Sequence, residues 1–219
     1  MKREDLSLYL VTDRPLSLGR DIDWVVTEAV KGGATMVQLR EKDCDTREFI
    51  RLAAKLKEAL SPLGVPLLIN DRVDVALAVD ADGVHIGQSD MPYETARRLL
   101  GPDKIIGLSV ENMDEVIEAN GLDVDYIGIS PVYSTATKTD TAGPFGLDGL
   151  AEAVKLSVHP TVAIGGMNQK TAFDVIRTGA DGIAVVSAIC SADSPEKASR
   201  ELYAIIEEAR RSPISKAQA

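Results

Sequence analysis

Eight short runs of unbroken apolar character, spread along the whole chain with helix-length segments between them, constrain this sequence more than any other feature. They occupy residues 6–12, 36–40, 66–70, 83–87, 105–110, 126–130, 161–165 and 182–188. A strand with one wet face alternates apolar and polar residues. These runs are apolar on both faces, as expected for parallel strands covered on both sides. Their centres lie about 17 to 35 residues apart, which in most cases leaves room for a crossover helix.

Five of those helices are legible. The 45–60 segment opens on Asp45 or Thr46 as N-cap and puts Phe49, Leu52, Ala53, Leu56 and Leu60 on one face. Segment 92–100 follows Asp90, and 112–119, 168–178 and 195–210 follow the same style. A weak internal repeat joins helix ends to strand starts at Gly33-Ala34-Thr35-Met36, Asp82-Gly83-Val84, Asp123-Val124-Asp125-Tyr126 and Gly179-Ala180-Asp181-Gly182, with Gly33 and Gly179 suited to left-handed C-cap positions. Eight alternating units predict an α/β fold of one domain, a compact (β/α)8 TIM barrel over 1–211 with a frayed polar tail at 212–219.

Composition narrows the partners. The chain has 219 residues, 24 basic against 34 acidic side chains and a net charge of −10, so nucleic acid and anionic membranes are not expected partners. Apolar runs reach about five residues, as at 75–79, far short of the roughly 20 of a membrane span. No secretory core follows Met1-Lys2-Arg3-Glu4-Asp5, which fits a cytoplasmic protein. Cys44 and Cys190 are too few for a disulfide framework. His85 and His159 are the only histidines, and His85, inside an apolar run, reads as a satisfied core residue rather than a base. A homo-oligomer is left open.

In a barrel of this kind the chemistry sits at the C-terminal ends of the strands. There the sequence places Gln38-Leu39-Arg40-Glu41-Lys42, Asn70-Asp71-Arg72, Gln88-Ser89-Asp90, Ser109, Gly165-Gly166 and Ser187. The 132–146 connection adds four threonines, Ser134 and Lys138, a set suited to anions. Arg40, Lys42, Arg72 and Lys138 reverse the local sign of an acidic chain, and the simplest ligand to explain them is phosphorylated. Arg40 and Lys42 could instead pair with Glu41 and Asp43. Asp71 and Asp90 could be helix N-caps, or two carboxylates sharing one Mg²⁺. Gly165-Gly166 could be a tight turn or a backbone phosphate cradle. Two anion sites without a strong general base suggest the joining of two phosphorylated substrates with diphosphate as leaving group.

The ordered set Tyr9-Leu10-Val11-Thr12-Asp13, Val37-Gln38-Leu39-Arg40-Glu41-Lys42, Ile69-Asn70-Asp71-Arg72, Gly83-Val84-His85-Ile86-Gly87-Gln88-Ser89-Asp90, Gly107-Leu108-Ser109, Thr135-Ala136-Thr137-Lys138, Ala163-Ile164-Gly165-Gly166 and Val185-Val186-Ser187 closely resembles the thiamine-phosphate synthase (thiamine-phosphate pyrophosphorylase) family. The resemblance implies a Mg²⁺-dependent, dissociative condensation of 4-amino-2-methyl-5-(diphosphooxymethyl)pyrimidine with 4-methyl-5-(2-phosphoethyl)thiazole, giving thiamine phosphate and diphosphate. It further implies that Gln38, Leu39, Arg40, Glu41, Lys42, Asn70, Ser109 and Lys138 hold the pyrimidine diphosphate, with Arg40, Lys42, Ser109 and Lys138 catalytic. Thr135, Ala136, Thr137, Gly166, Val186 and Ser187 would hold the thiazole phosphate, and Asp71 and Asp90 the Mg²⁺. The chain departs from the family pattern at Ser130, Ser134 and Glu111. The competing readings are a thiazole tautomerase, a non-catalytic binder of thiamine precursors on the same barrel, and another phosphate-binding barrel enzyme.

Overall fold

The computed structural model describes residues 1–134 and 143–212. Eight parallel strands close a barrel in sequence order: β1 (Leu8–Val11), β2 (Met36–Leu39), β3 (Leu67–Asn70), β4 (Gly83–Ile86), β5 (Ile105–Val110), β6 (Tyr126–Ile129), β7 (Thr161–Ile164) and β8 (Gly182–Val185). The eight apolar runs are thus all strands. Between and after them lie α1 (Ile22–Lys31), α2 (Thr46–Leu60), α3 (Val73–Ala78), α4 (Tyr93–Leu100), α5 (Met113–Ala119), α6 (Gly146–Leu156), α7 (Ala172–Arg177), α8 (Ser187–Cys190) and α9 (Pro195–Arg211). Only Ser212 of the expected tail is described.

Strand side chains alternate between two apolar layers. Leu8, Leu10, Val37 and Leu39 face the helices and join their buried faces in one large cluster. Tyr9, Val11, Met36, Leu68, Ile105, Tyr126, Val162 and Ala184 fill the barrel interior. Glycine is required where aromatics cross that interior. A Cβ on Gly107 would lie 2.1 Å from the Tyr126 ring, and one on Gly128 would lie 2.8 Å from Ile164 Cδ1 and 3.2 Å from His85 Cε1.

The weak repeat has a physical role at the N-terminal end of the barrel. The residue just before each even-numbered strand accepts a hydrogen bond from the first amides of the preceding strand. Thr35 Oγ1 accepts from Leu8 N at 3.0 Å, Asp82 Oδ2 from Leu67 N at 2.9 Å, Asp125 Oδ2 from Ile106 N at 2.9 Å and Asp181 Oδ2 from Thr161 N at 2.8 Å. Each aspartate also meets a cation: Lys57 at 2.7 Å, Arg97 at 3.1 Å and Arg3 at 2.9 Å respectively. Four two-strand units therefore carry the same staple. Asp125→Ala leaves the buried Ile106 amide without its carboxylate and is expected to cost about 1–3 kcal/mol, lowering Tm by roughly 2–12 °C. Activity per folded molecule should be unchanged, because the staple lies at the end opposite the strand C-termini. Thermal unfolding and an activity assay on the same sample check both halves of this expectation.

Several local expectations need correction. The eighth run stops at Val185, because the backbone turns at Val186 (φ −112, ψ −86) into α8, so Ser187 begins a helix. Asp90 does not cap α4; Pro92 is its N-cap, and the Asp90 carboxylate accepts from Gly87 N instead. Helix α7 starts at Ala172 rather than near Asn168, whose carbonyl Oδ1 is engaged by Lys170 N in the preceding turn. Asp45 and Asn112 do cap, accepting from Glu48 N and Glu115 N. Gly33 and Gly179 do adopt positive φ. Among the described residues no helix is long and apolar enough to cross a membrane.

Candidate active site

A cleft of about 790 Å³ opens at the C-terminal ends of the strands. Inward-facing strand positions and the first loop residues beyond them build its walls. It brings together Gln38, Arg40, Lys42, Asn70, Asp71, Asp90, Ser109, Gly166, Val186 and Ser187 from the residues expected on sequence grounds. Thr135, Ala136, Thr137 and Lys138 lie outside the described residues.

Three side chains expected at the rim do not reach it. Leu39 alternates outward from Gln38 and Arg40 and is wholly buried beneath the helices. Glu41 turns away, accepting from Arg14 Nε at 2.9 Å, with its side chain 2% exposed. Arg72 clasps Asp74 with two bonds of 2.8 and 2.6 Å and donates to Thr46 Oγ1 at 3.0 Å, outside the cleft. Among the described residues the cleft therefore sets two cations, Arg40 and Lys42, against the carboxylates of Asp71, Asp90 and Glu111, so the expected local reversal of charge is not seen there.

Both cations are held by carboxylates. Arg40 donates to Asp13 Oδ2 at 3.0 Å, while its backbone N–H donates to Thr12 Oγ1 at 2.9 Å. Asp13 is a positioning residue that sequence reasoning left without a role; its signal was the Thr12-Asp13 pair at the end of β1. Lys42 Nζ lies 2.8 Å from Asp71 Oδ2. Asp71 sits in left-handed backbone, φ +61, a region that short polar side chains tolerate. There its N–H donates to His85 O at 2.9 Å, and the turn sends Asp71 to the cleft and Arg72 away from it.

Asp90 accepts from Gly87 N at 2.7 Å. Burial, and next to it the neighbouring Asp71 carboxylate, push the Asp90 carboxyl above the usual carboxylate range despite the Gly87 bond and nearby Lys42. Two carboxylates at adjoining strand ends, one of them resisting ionisation beside the other, are a donor set that a hard divalent cation would relieve. Among the described residues no group of three His, Cys, Asp or Glu converges, so a cation here would need further oxygen ligands from elsewhere.

The opposite wall is small-residue backbone. Gly165 and Gly166 adopt φ +95 and +75 in succession, and a Cβ on either would come within 2.8 Å of Pro131 or Tyr133. The Gly166 carbonyl is pinned by Asn168 Nδ2 at 2.9 Å and Thr171 Oγ1 at 3.0 Å. Asn168 and Glu111 also line the cleft, although sequence reasoning gave neither a role. Burial pushes the Cys190 thiol up to about 11, so it stays protonated, and it donates weakly to Val11 O at 3.7 Å. His85 is buried with hydrogen-bond partners at both ring nitrogens, as expected of a core histidine.

The comparisons with known proteins fit this architecture. A thiamine-phosphate synthase of Albidiferax ferrireducens is 51% identical over 207 residues, covering 94% of both chains. One from Vibrio parahaemolyticus is 53% identical over 200 residues, 91% of this chain and 98% of the relative. The solved structure of thiamine phosphate pyrophosphorylase from Pyrococcus furiosus superposes with a TM-score of 0.87 at 42% identity, covering 94% of this chain and 98% of that one. The family described as Thiamine monophosphate synthase matches residues 8–189, from the start of β1 to α8, and so spans every strand that builds the cleft. With barrel, cleft and relatives in agreement, this chain is an enzyme that belongs to the thiamine monophosphate synthase family.

Proposed function

We propose that the cleft joins 4-amino-2-methyl-5-(diphosphooxymethyl)pyrimidine to 4-methyl-5-(2-phosphoethyl)thiazole. The observation that carries this reading is the division of one cleft into two unlike walls: Arg40, Lys42, Asn70, Asp71 and Asp90 on one side, and Gly165, Gly166, Val186 and Ser187 on the other. Arg40 and Lys42 bind and orient the diphosphate, and Lys138 joins them from the 132–146 connection. Gln38 and Ser109 hold the pyrimidine ring. Thr135, Ala136, Thr137, Gly166, Val186 and Ser187 hold the thiazole phosphate, with the backbone of the glycine wall approaching it closely.

The bond between the pyrimidine methylene and the diphosphate oxygen breaks first, and its electron pair leaves with the diphosphate. The aminopyrimidine spreads the resulting positive charge, and the thiazole nitrogen lone pair then forms the new C–N bond. No proton moves in either step, so neither step asks for a general base. Asp71 and Asp90 would hold Mg²⁺; the pair fits a hard ion usually bound through one or two carboxylates, water and substrate phosphate. When bound, that ion would supply neutralisation of the charge developing on the departing diphosphate.

The test incubates the purified protein with both substrates and Mg²⁺ and measures thiamine phosphate by thiochrome fluorescence, with and without EDTA. Product that vanishes with EDTA is the expected result. Isomerisation of the thiazole phosphate alone would favour the tautomerase reading, and binding without turnover the non-catalytic one.

A further inference from the structure

A chain of hydrogen-bonded side chains runs through the barrel from one wall of the cleft to another. Gln38 Nε2 donates to the Tyr9 hydroxyl at 2.8 Å, and the Tyr9 and Tyr126 hydroxyls are 2.9 Å apart. The Tyr126 hydroxyl lies 2.7 Å from His85 Nδ1, and His85 Nε2 lies 2.8 Å from Ser109 Oγ. Gln38 and Ser109, the two ends, line the cleft. Tyr9 and Tyr126 are wholly buried and His85 nearly so. Burial pushes both phenols well above their ordinary range, so each keeps the one proton it can donate.

One proton per link forces a single direction. With the Gln38 amide donating, Tyr9 donates to Tyr126, Tyr126 to His85 Nδ1, and His85 Nε2–H to Ser109 Oγ. The Ser109 proton is then turned out to the cleft, and Gln38 keeps its carbonyl for a ligand. Reversing one link alone would set two protons or two lone pairs face to face in a buried site, so the chain reverses as a whole or not at all.

We propose that Tyr9, Tyr126 and His85 are positioning residues that lock the hydrogen-bond polarity of Gln38 and Ser109 together, so that a ligand meets an acceptor at one end and a donor at the other. That pattern fits an aminated nitrogen heterocycle, whose amino group donates and whose ring nitrogen accepts; in placing the pyrimidine there, it rests on the functional reading above.

The test reads the two ring nitrogens of His85 by ¹⁵N NMR in ligand-free protein at pH 8, with the His85 signals assigned by comparison with His159→Gln. In the wild type the proton is expected on Nε2, and a wild-type proton on Nδ1 overturns the polarity assigned here. Gln38→Glu is nearly isosteric, and its carboxylate can only accept, so every link must reverse and the His85 proton moves to Nδ1, three hydrogen bonds away. Tyr9→Phe cuts the chain without touching His85. It is expected to turn the single tautomer into a mixture and to raise the Kd for the pyrimidine diphosphate about five- to tenfold, the scale of one hydrogen bond. That increase should shrink in the Ser109→Ala background to the part that Tyr9 exerts directly through Gln38. A His85 pattern unchanged in both Gln38→Glu and Tyr9→Phe overturns the relay, as does a Tyr9→Phe effect on Kd that is undiminished without Ser109. If the shifts behave as expected but the wild type makes no thiamine phosphate, the functional reading fails and the relay stands.

Discussion

Asp90→Asn is expected to lower turnover at least about 100-fold while leaving Tm in metal-free buffer unchanged or raised. The asparagine carbonyl still accepts from Gly87 N, so the local turn survives the change. What disappears is a charge that the folded chain holds less readily than the unfolded chain does, because of burial and the adjoining Asp71. A carboxyl whose pKa is raised by folding stabilises the folded chain below the ordinary carboxylate range. That contribution is lost as pH rises through the ordinary range to the raised value, and Asp90→Asn removes the loss. The same charge is what a divalent cation would need. Mg²⁺ should therefore raise Tm in the wild type and leave the variant where it was. Its affinity for the wild type should weaken as pH falls toward the raised Asp90 value. Wild-type turnover in Asp90→Asn would remove this carboxylate from the site.

Arg40→Ala should lower kcat/KM for the pyrimidine diphosphate by about 10- to 100-fold, the loss of one charge-assisted contact of about 1.5–3 kcal/mol. The KM for the thiazole phosphate should change little. Arg40 is prepared for an anion by its own environment: Asp13 holds the guanidinium, and Thr12 fixes the backbone at the end of β2. Asp13→Asn should reproduce part of the effect with Arg40 still present, since it loosens the side chain without deleting the charge. Steady-state kinetics with each substrate varied in turn separates the two walls. A change confined to the thiazole phosphate would mean that the division of the cleft is wrong.

Much of this molecule was legible in its sequence because a parallel barrel writes its strands as runs apolar on both faces. The strand-end motifs were legible for a related reason: polar residues directly after such runs have few places to go except the open end of the barrel. The misses have physical causes. Helices α3 and α8, with six and four residues, are too short to show a helical period, and Gly146 and Gly149 weaken the signature of α6. Leu39, Glu41 and Arg72 sit among true cleft residues in sequence, and only the in-out alternation of β2 and the left-handed turn at Asp71 separate them. Strict period-two reading from Gln38 would have set Leu39 apart. Tyr9, Tyr126 and His85 lie inside apolar runs, where a buried polar tip cannot be distinguished from packing until its partners are placed.

Product stoichiometry separates condensation from every competing activity of the cleft. With both substrates and Mg²⁺ present, thiamine phosphate and diphosphate should appear one for one, and neither should form when the thiazole phosphate is withheld beyond the slow background of water capture. Diphosphate released at full rate without the thiazole phosphate, or thiazole phosphate altered without diphosphate release, would contradict the account.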